Sequence, residues 1–297
     1  MAKARSLAKA ASLSTCRSLA HVVRVRTPPS TLDLSRVGVF AHPFRAEAQR
    51  MRLGSCALRQ LSTAANAREP PKGFISSAPR ERSLVEELHR LEHETPWWAA
   101  SLFRLVGMFT PKQRQAAAGG DLYYVCGMQS LLPEFFDPAR GGLDDRYYIR
   151  FQLVVLHCWI CHVRLRQEPK EHYEHLFKET MEKVWGQAEI DLAYQFNMDY
   201  LQLSKHLKEM QFTWHGTVRA LDAAVVAEDA REQLHAVLQR NLYTDGEGKP
   251  LVNVESNAAW LTEYVLLQLN AQMKLSSTDA LNGIGRWADL SELTTEK

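Results

Sequence analysis

The sharpest chemical pattern in this 297-residue chain is Cys158-Trp159-Ile160-Cys161-His162. Two cysteines three apart, followed by histidine, is the spacing that attaches c-type haem. The pattern sits in the middle of the most apolar stretch, Phe151 to Val163, with no glycine to leave room for a porphyrin. Thiols in such a place read as small core hydrophobes. Zinc is the other chemistry these residues could do, since structural zinc takes four N or S ligands. One helix can aim Cys158, Cys161 and His162 to one side, but His157 points about 100° away from Cys158. Cys126 is the only remaining thiol beyond residue 60. His172 and His175, among Glu171, Glu174 and Glu179, read as a solvated charged face.

Nothing else in the chain has the spacing of a catalytic site. Gly246-Glu247-Gly248-Lys249-Pro250 lacks the glycine spacing and following helix of a phosphate loop. No G-x-S-x-G, no H-E-x-x-H and no recognisable Cys–His nucleophile pair occurs. The expectation is a chain with no catalytic residues, no metal and no cofactor. Five cysteines are too few for a disulfide framework.

The elements that hold these residues read as helices. Leu84, Leu88 and Leu91 start a helical period. Pro96, Pro111, Pro133 and Pro138 then cut the chain into short pieces. Asp144 or Asp145 is placed to cap a helix running to about Arg166. It is apolar on two faces, one with Ile149, Leu153, Leu156, Ile160 and Val163, the other with Phe151, Val155 and Cys158. A helix of that kind lies inside a core. Its thirteen-residue apolar run covers roughly 20 Å, short of a roughly 30 Å hydrocarbon core. Pro169 opens the next helix, which Gly186 is expected to end. Leu192, Phe196, Tyr200, Leu203, Leu207 and Met210 predict a further apolar stripe, and Trp214, Val218, Leu221 and Val225 a helix after it. Leu234 and Leu238 mark another, and Trp260, Tyr264 and Leu267 begin the last long one. The fold class predicted is all-α: one multi-helix domain around a buried central helix. Trp97 and Trp98 are adjacent and cannot both face the core, so one is a candidate contact for a partner or membrane.

Charge divides the chain. Residues 1–68 hold twelve Lys/Arg and two acids, whereas the rest holds 24 basic and 32 acidic residues. The first segment is rich in Arg, Ser, Ala and Leu, with no acid before Asp33. That is the composition of an organelle transit peptide; a chloroplast address or a disordered basic tail that binds nucleic acid are the other readings. Arg59-Gln60-Leu61-Ser62-Thr63 resembles a mitochondrial processing site. The expected division is a disordered transit peptide at 1–61, a linker at 62–80 and a helical domain at 81–290. An acidic body argues against a broad phosphate-binding surface and against direct DNA binding.

The segment Leu156-His157-Cys-Trp159-Ile-Cys-His-Val163-Arg164-Leu-Arg166-Gln167-Glu168 resembles the L-H-x-W-x-x-x-V-R-x-x-x-E core of the ubiquinol–cytochrome c chaperone family. The likeness extends over about residues 100–275, with a core of about 140–275, and is most specific at 147–168. Where the family often has a G-Y-D-E-G-like turn, this chain has Ala220-Leu221-Asp222-Ala223-Ala224. The resemblance implies a non-enzymatic assembly factor for mitochondrial respiratory complex III. It implies three partners: a small second assembly factor, newly made cytochrome b and the mitochondrial ribosome. It also implies a place in the matrix, peripheral to the inner membrane. His157, Trp159, Arg164 and Asp222 are the family-core or partner-binding candidates. Arg164, if buried, needs an ionic or hydrogen-bonded partner, and Asp199 or Asp222 is expected to supply it. The rival reading is a helical mitochondrial protein that binds a lipid or quinone in an internal pocket.

Overall fold

The computed structural model describes residues 82–105 and 107–295; the expected transit peptide and linker lie outside the described residues. Among the described residues the chain is all-α, with nine α-helices, two short 3-10 segments and no strand. We label them α1 (Leu84–Glu94), α2 (Trp97–Leu105), α3 (Pro111–Ser130), α4 (Tyr147–Leu165), α5 (Lys170–Tyr194), α6 (Tyr200–Val226), α7 (Ala230–Leu242), α8 (Glu255–Met273) and α9 (Ser277–Leu281).

Local chemistry fixes where these helices start. Ser83 caps α1 in a capping box, its hydroxyl accepting from Glu86 N while Glu86 reaches back to Ser83 N. The free amides of that first turn are also met from another helix. The Asp121 carboxylate of α3 accepts from Leu84 N at 2.7 Å and Val85 N at 3.0 Å. Thr110 and Pro111 open α3, and Ser276 opens α9.

The run Ala116-Ala117-Ala118-Gly119-Gly120 explains why α3 lies so close to α5. A methyl group on Gly119 would sit 2.6 Å from the Leu176 carbonyl oxygen, so only glycine fits. Thr180 of α5 closes the contact by donating to Gly119 O at 3.1 Å.

Helix α4 is the axis. Sixteen of its nineteen residues are buried, and α3, α5, α6, α8 and α9 all pack on it. Its N-cap is Arg146 rather than Asp144 or Asp145. Those two acids instead pair with arginines, Asp144 with Arg146 and Asp145 with Arg150.

Two expected boundaries move. α5 runs straight through Gly186 to Tyr194. A Cβ there would meet nothing within 4 Å, so this glycine is neither a contact nor a cap. The break falls at 195–199, where Asn197 takes a left-handed φ of 49° and Asp199 caps α6 by accepting from Gln202 N at 2.9 Å. α6 then continues unbroken to Val226, merging two expected helices into one. Tyr200, expected in the apolar stripe, is 80% exposed because the stripe is interrupted at that bend.

Candidate functional site

The four candidate residues are all on or against α4, and the structure sorts them into three separate contacts. Trp159 is fully buried and turns toward α6, where Nε1 donates to Asp222 Oδ1 at 2.8 Å. The same carboxylate takes a two-pronged contact from Arg166, at 2.7 and 2.9 Å. Asp222 thus satisfies a buried indole and neutralises a cation at once.

His157 and Arg164 both turn toward α8. The His157 Nδ1 lies 2.6 Å from the Leu153 carbonyl, which can only accept, so Nδ1 carries the proton. Nε2 therefore accepts from the Tyr264 hydroxyl at 2.7 Å, and Gln129 Nε2 donates to that hydroxyl at 3.0 Å. The chain of donors is closed only with a neutral imidazole. Burial pushes the His157 pKa down to about 4, opposed by the Leu153 carbonyl. Phe135, Tyr264 and Trp287 surround the ring edge-on.

Arg164 is buried, but neither Asp199 nor Asp222 is its partner. Its Nε and Nη2 donate to the Leu275 carbonyl at 3.2 and 2.9 Å, and its Nη1 to Glu168 at 2.7 Å. Glu168 also accepts from Ser277 at 2.8 Å. Arg164 therefore ties the α8–α9 turn to the end of α4, using an acid in the turn that follows its own helix. Asp199 serves as the cap of α6, and Asp222 belongs to Trp159 and Arg166.

The cysteines form a buried cluster. Cys126 Sγ lies 3.8 Å from Cys161 Sγ across the α3–α4 contact, with Cys158 close by. Burial, helped by the neighbouring thiols, pushes the Cys126 thiol well up, which makes it unreactive. His162, the last residue of the haem-like pattern, stacks flat on Phe177 with centroids 3.8 Å apart. Among the described residues no group of His, Cys, Asp or Glu is arranged to hold a metal ion. A cleft between α4, α6 and α7, lined by Gln152, Leu156, Trp214, Leu221 and Leu242, measures about 10 Å³. That holds about one water, whereas a lipid or quinone needs a pocket of roughly 300–1,000 Å³.

The surfaces are less even. On α2 both tryptophans are exposed, Trp97 by 83%, and so are Leu102, Phe103 and Leu105. Ala100 is the buried residue of this helix, so neither tryptophan faces the core and the small side chain faces in. Arg104 of α2 pairs with Glu92 of α1, which also holds Arg114. A second apolar group, Ile190, Tyr194, Tyr200 and Leu201, surrounds the α5–α6 bend. The sequence period concealed it by assigning Tyr200 to the core; the Asn197-Met198-Asp199 turn signal was the clue to it.

Three comparisons place this arrangement. The sequence pattern described as ubiquinol–cytochrome c chaperone matches residues 139–287, from the loop before α4 to Trp287. Protein CBP3, mitochondrial, from Saccharomyces cerevisiae is 24% identical over 228 residues, covering 72% of this chain. The match spans 65% of that relative's length. The crystal structure of the Cbp3 homolog from Brucella abortus is similar in fold, with a TM-score of 0.53 and 20% identity. It covers 65% of this chain and 98% of the other. α1 to α3 precede the family match, while the α4 axis and its contacts with α6, α8 and Trp287 lie inside it, and the chain belongs to the ubiquinol–cytochrome c chaperone family.

Proposed function

We propose that this chain is a non-enzymatic assembly factor for mitochondrial respiratory complex III. It receives newly made cytochrome b, works with a small partner factor and sits at the mitochondrial ribosome on the matrix side of the inner membrane. Residues 1–61 act as its transit peptide, 62–80 as a linker and 81–290 as the working domain. The observation that carries this reading is the family match over residues 139–287. Mitochondrial residence is supported by the relative whose name is Protein CBP3, mitochondrial, and by the arginine-rich, acid-poor start.

The geometry supports a holding role. His157, Trp159, Arg164 and Asp222 act as a spine that fixes α4 against α6 and α8; burial removes the first three from direct contact with a client, and Asp222 is occupied by Trp159 and Arg166. Contact falls to exposed apolar side chains, of which α2 carries the densest set. A cluster of this kind rimmed by charge marks a site for another protein or a membrane.

The test is a crosslinked pull-down of the chain from mitochondria, read by mass spectrometry. Newly made cytochrome b and a small companion protein are expected, with yield reduced by W97S/L105S. Recovery of a lipid or quinone in stoichiometric amount, without cytochrome b, would overturn the proposal in favour of the ligand-binding alternative.

A further inference from the structure

Helix α6 carries a surface that its packing does not use. Leu201, Lys205, Lys208, Phe212, His215 and Arg219 fall at i, i+4, i+7, i+11, i+14 and i+18, and all six are exposed. Those intervals keep them within about 40° of one line along the helix. The stripe is about 27 Å long at 1.5 Å per residue. It holds three full cations and no acid. Leu201 is 79% and Phe212 63% exposed, so two bulky apolar groups share the line with the charges, one at its start and one near its middle.

The two acids of α6 are both engaged away from these cations. Glu209 is four residues past Lys205, but its carboxylate lies 3.5 Å from His206 Nδ1. Asp222 is three residues past Arg219, but Trp159 and Arg166 hold it on the core side. Among the described residues no carboxylate lies within ion-pair distance of Lys205, Lys208 or Arg219. Neighbouring α5 shows the ordinary solution: Lys170 pairs with Glu174, and Lys178 with Glu182, each one turn on. The domain as a whole is acidic, so three unpaired cations on one line stand out from it.

We infer that the outer face of α6 is a docking surface for an anionic lipid bilayer. The inference rests on the membrane-side location proposed above and names the surface and the lipid charge that would secure it. Charge complementarity selects an anionic occupant. The interleaved side chains select a bilayer from among anionic occupants. A line along the outer face of one long helix suits a plane, and Leu201 and Phe212 have an acyl boundary to enter. On nucleic acid Leu201 would have no base to stack on, and phosphate contacts would engage the cations alone.

The experiment floats the protein isolated from mitochondria on vesicles of phosphatidylcholine alone and of phosphatidylcholine with cardiolipin. Binding is expected on the anionic vesicles only, and it is expected to fall as salt is raised. K205Q/K208Q/R219Q should weaken it by about 100-fold, from about fivefold per basic residue. L201S/F212S should weaken it by about tenfold at unchanged charge. Both variants should keep the wild-type melting temperature, since these side chains touch no core. Equal flotation on neutral vesicles, or a triple variant that floats like wild type, would overturn the inference. So would charge-dependent binding of a single-stranded RNA or an acidic peptide with no flotation on either vesicle. Pull-down of cytochrome b from detergent-solubilised mitochondria separates the two readings. A triple variant that loses flotation and keeps cytochrome b leaves both standing, whereas loss of cytochrome b by wild type sinks only the assembly role.

Discussion

Helices α4 and α2 are both rich in large aliphatic and aromatic side chains, yet one is swallowed by the fold and the other left in water. Five helices close around α4. α2 has nine residues, follows Pro96, and meets the body through Ala100 and the Arg104–Glu92 pair. Composition alone does not decide burial; the number of elements able to reach a helix does. An isolated helix of that length is marginal in water, and its exposed rings lose the burial worth about 1.5–3 kcal/mol each. The two helices therefore differ in kind: α4 supplies stability, and α2 leaves its apolar side chains in water.

The sharpest way to break this contrast is Trp159→Ala. The variant removes a fully buried ring and leaves Asp222 without its indole donor. A loss of about 3–5 kcal/mol is expected in urea or thermal unfolding. An unchanged melting temperature combined with lost cytochrome b binding would make α4 a contact surface rather than an axis.

A gentler probe is pH. His157 is neutral in the fold with a pKa of about 4, against an ordinary value near 6.5. As pH falls between those values the unfolded chain takes up a proton that the folded chain refuses. The contribution of His157 to stability should therefore be full above pH 6.5 and decline by about 1.4 kcal/mol per unit, about 3 kcal/mol in all by pH 4. His162, pushed down chiefly by burial and then by Arg166, acts in the same direction. His157→Gln should flatten this slope in unfolding curves taken across that range; an unaltered slope would place the titration elsewhere.

The smallest effect is expected on α2. W97S/L105S should change unfolding free energy by no more than about 0.5 kcal/mol, because neither side chain meets the core. A loss above 2 kcal/mol would show α2 to be an integral part of the body and would erase the contrast.

The axis was legible because it is a local pattern: two apolar stripes on one run can be satisfied only inside. The ends of helices were less so. Gly186 looked like a stop, but a helix tolerates a glycine that is covered on both sides by good formers. The true stop, at Asn197, depends on a short polar turn within a run of aromatics. The partner of Arg164 was out of reach for a different reason. Its principal acceptor is a backbone carbonyl, Leu275 O, and any residue type carries one. Asp222 was singled out through the family resemblance, yet its bond to Trp159 is a contact between helices, which no period within one helix encodes.

The residues after α9 lie against the core rather than trailing from it. Gln268 both donates to Ala288 O and accepts from Ala288 N, and Gln272 donates to Arg286 O. Gly283, with φ of 72°, presses so near the Ala118 carbonyl that no side chain fits there. These contacts seat Trp287 against His157. The wall around the middle of α4 is thus finished by a residue far along the chain. A chain delivered end-first, whether from a ribosome or through a membrane pore, cannot shut its interior until that residue arrives. Delivery leaves a half-built barrel of helices with its imidazole wet and titratable. Such an intermediate is a ready target for proteolysis and for general chaperones.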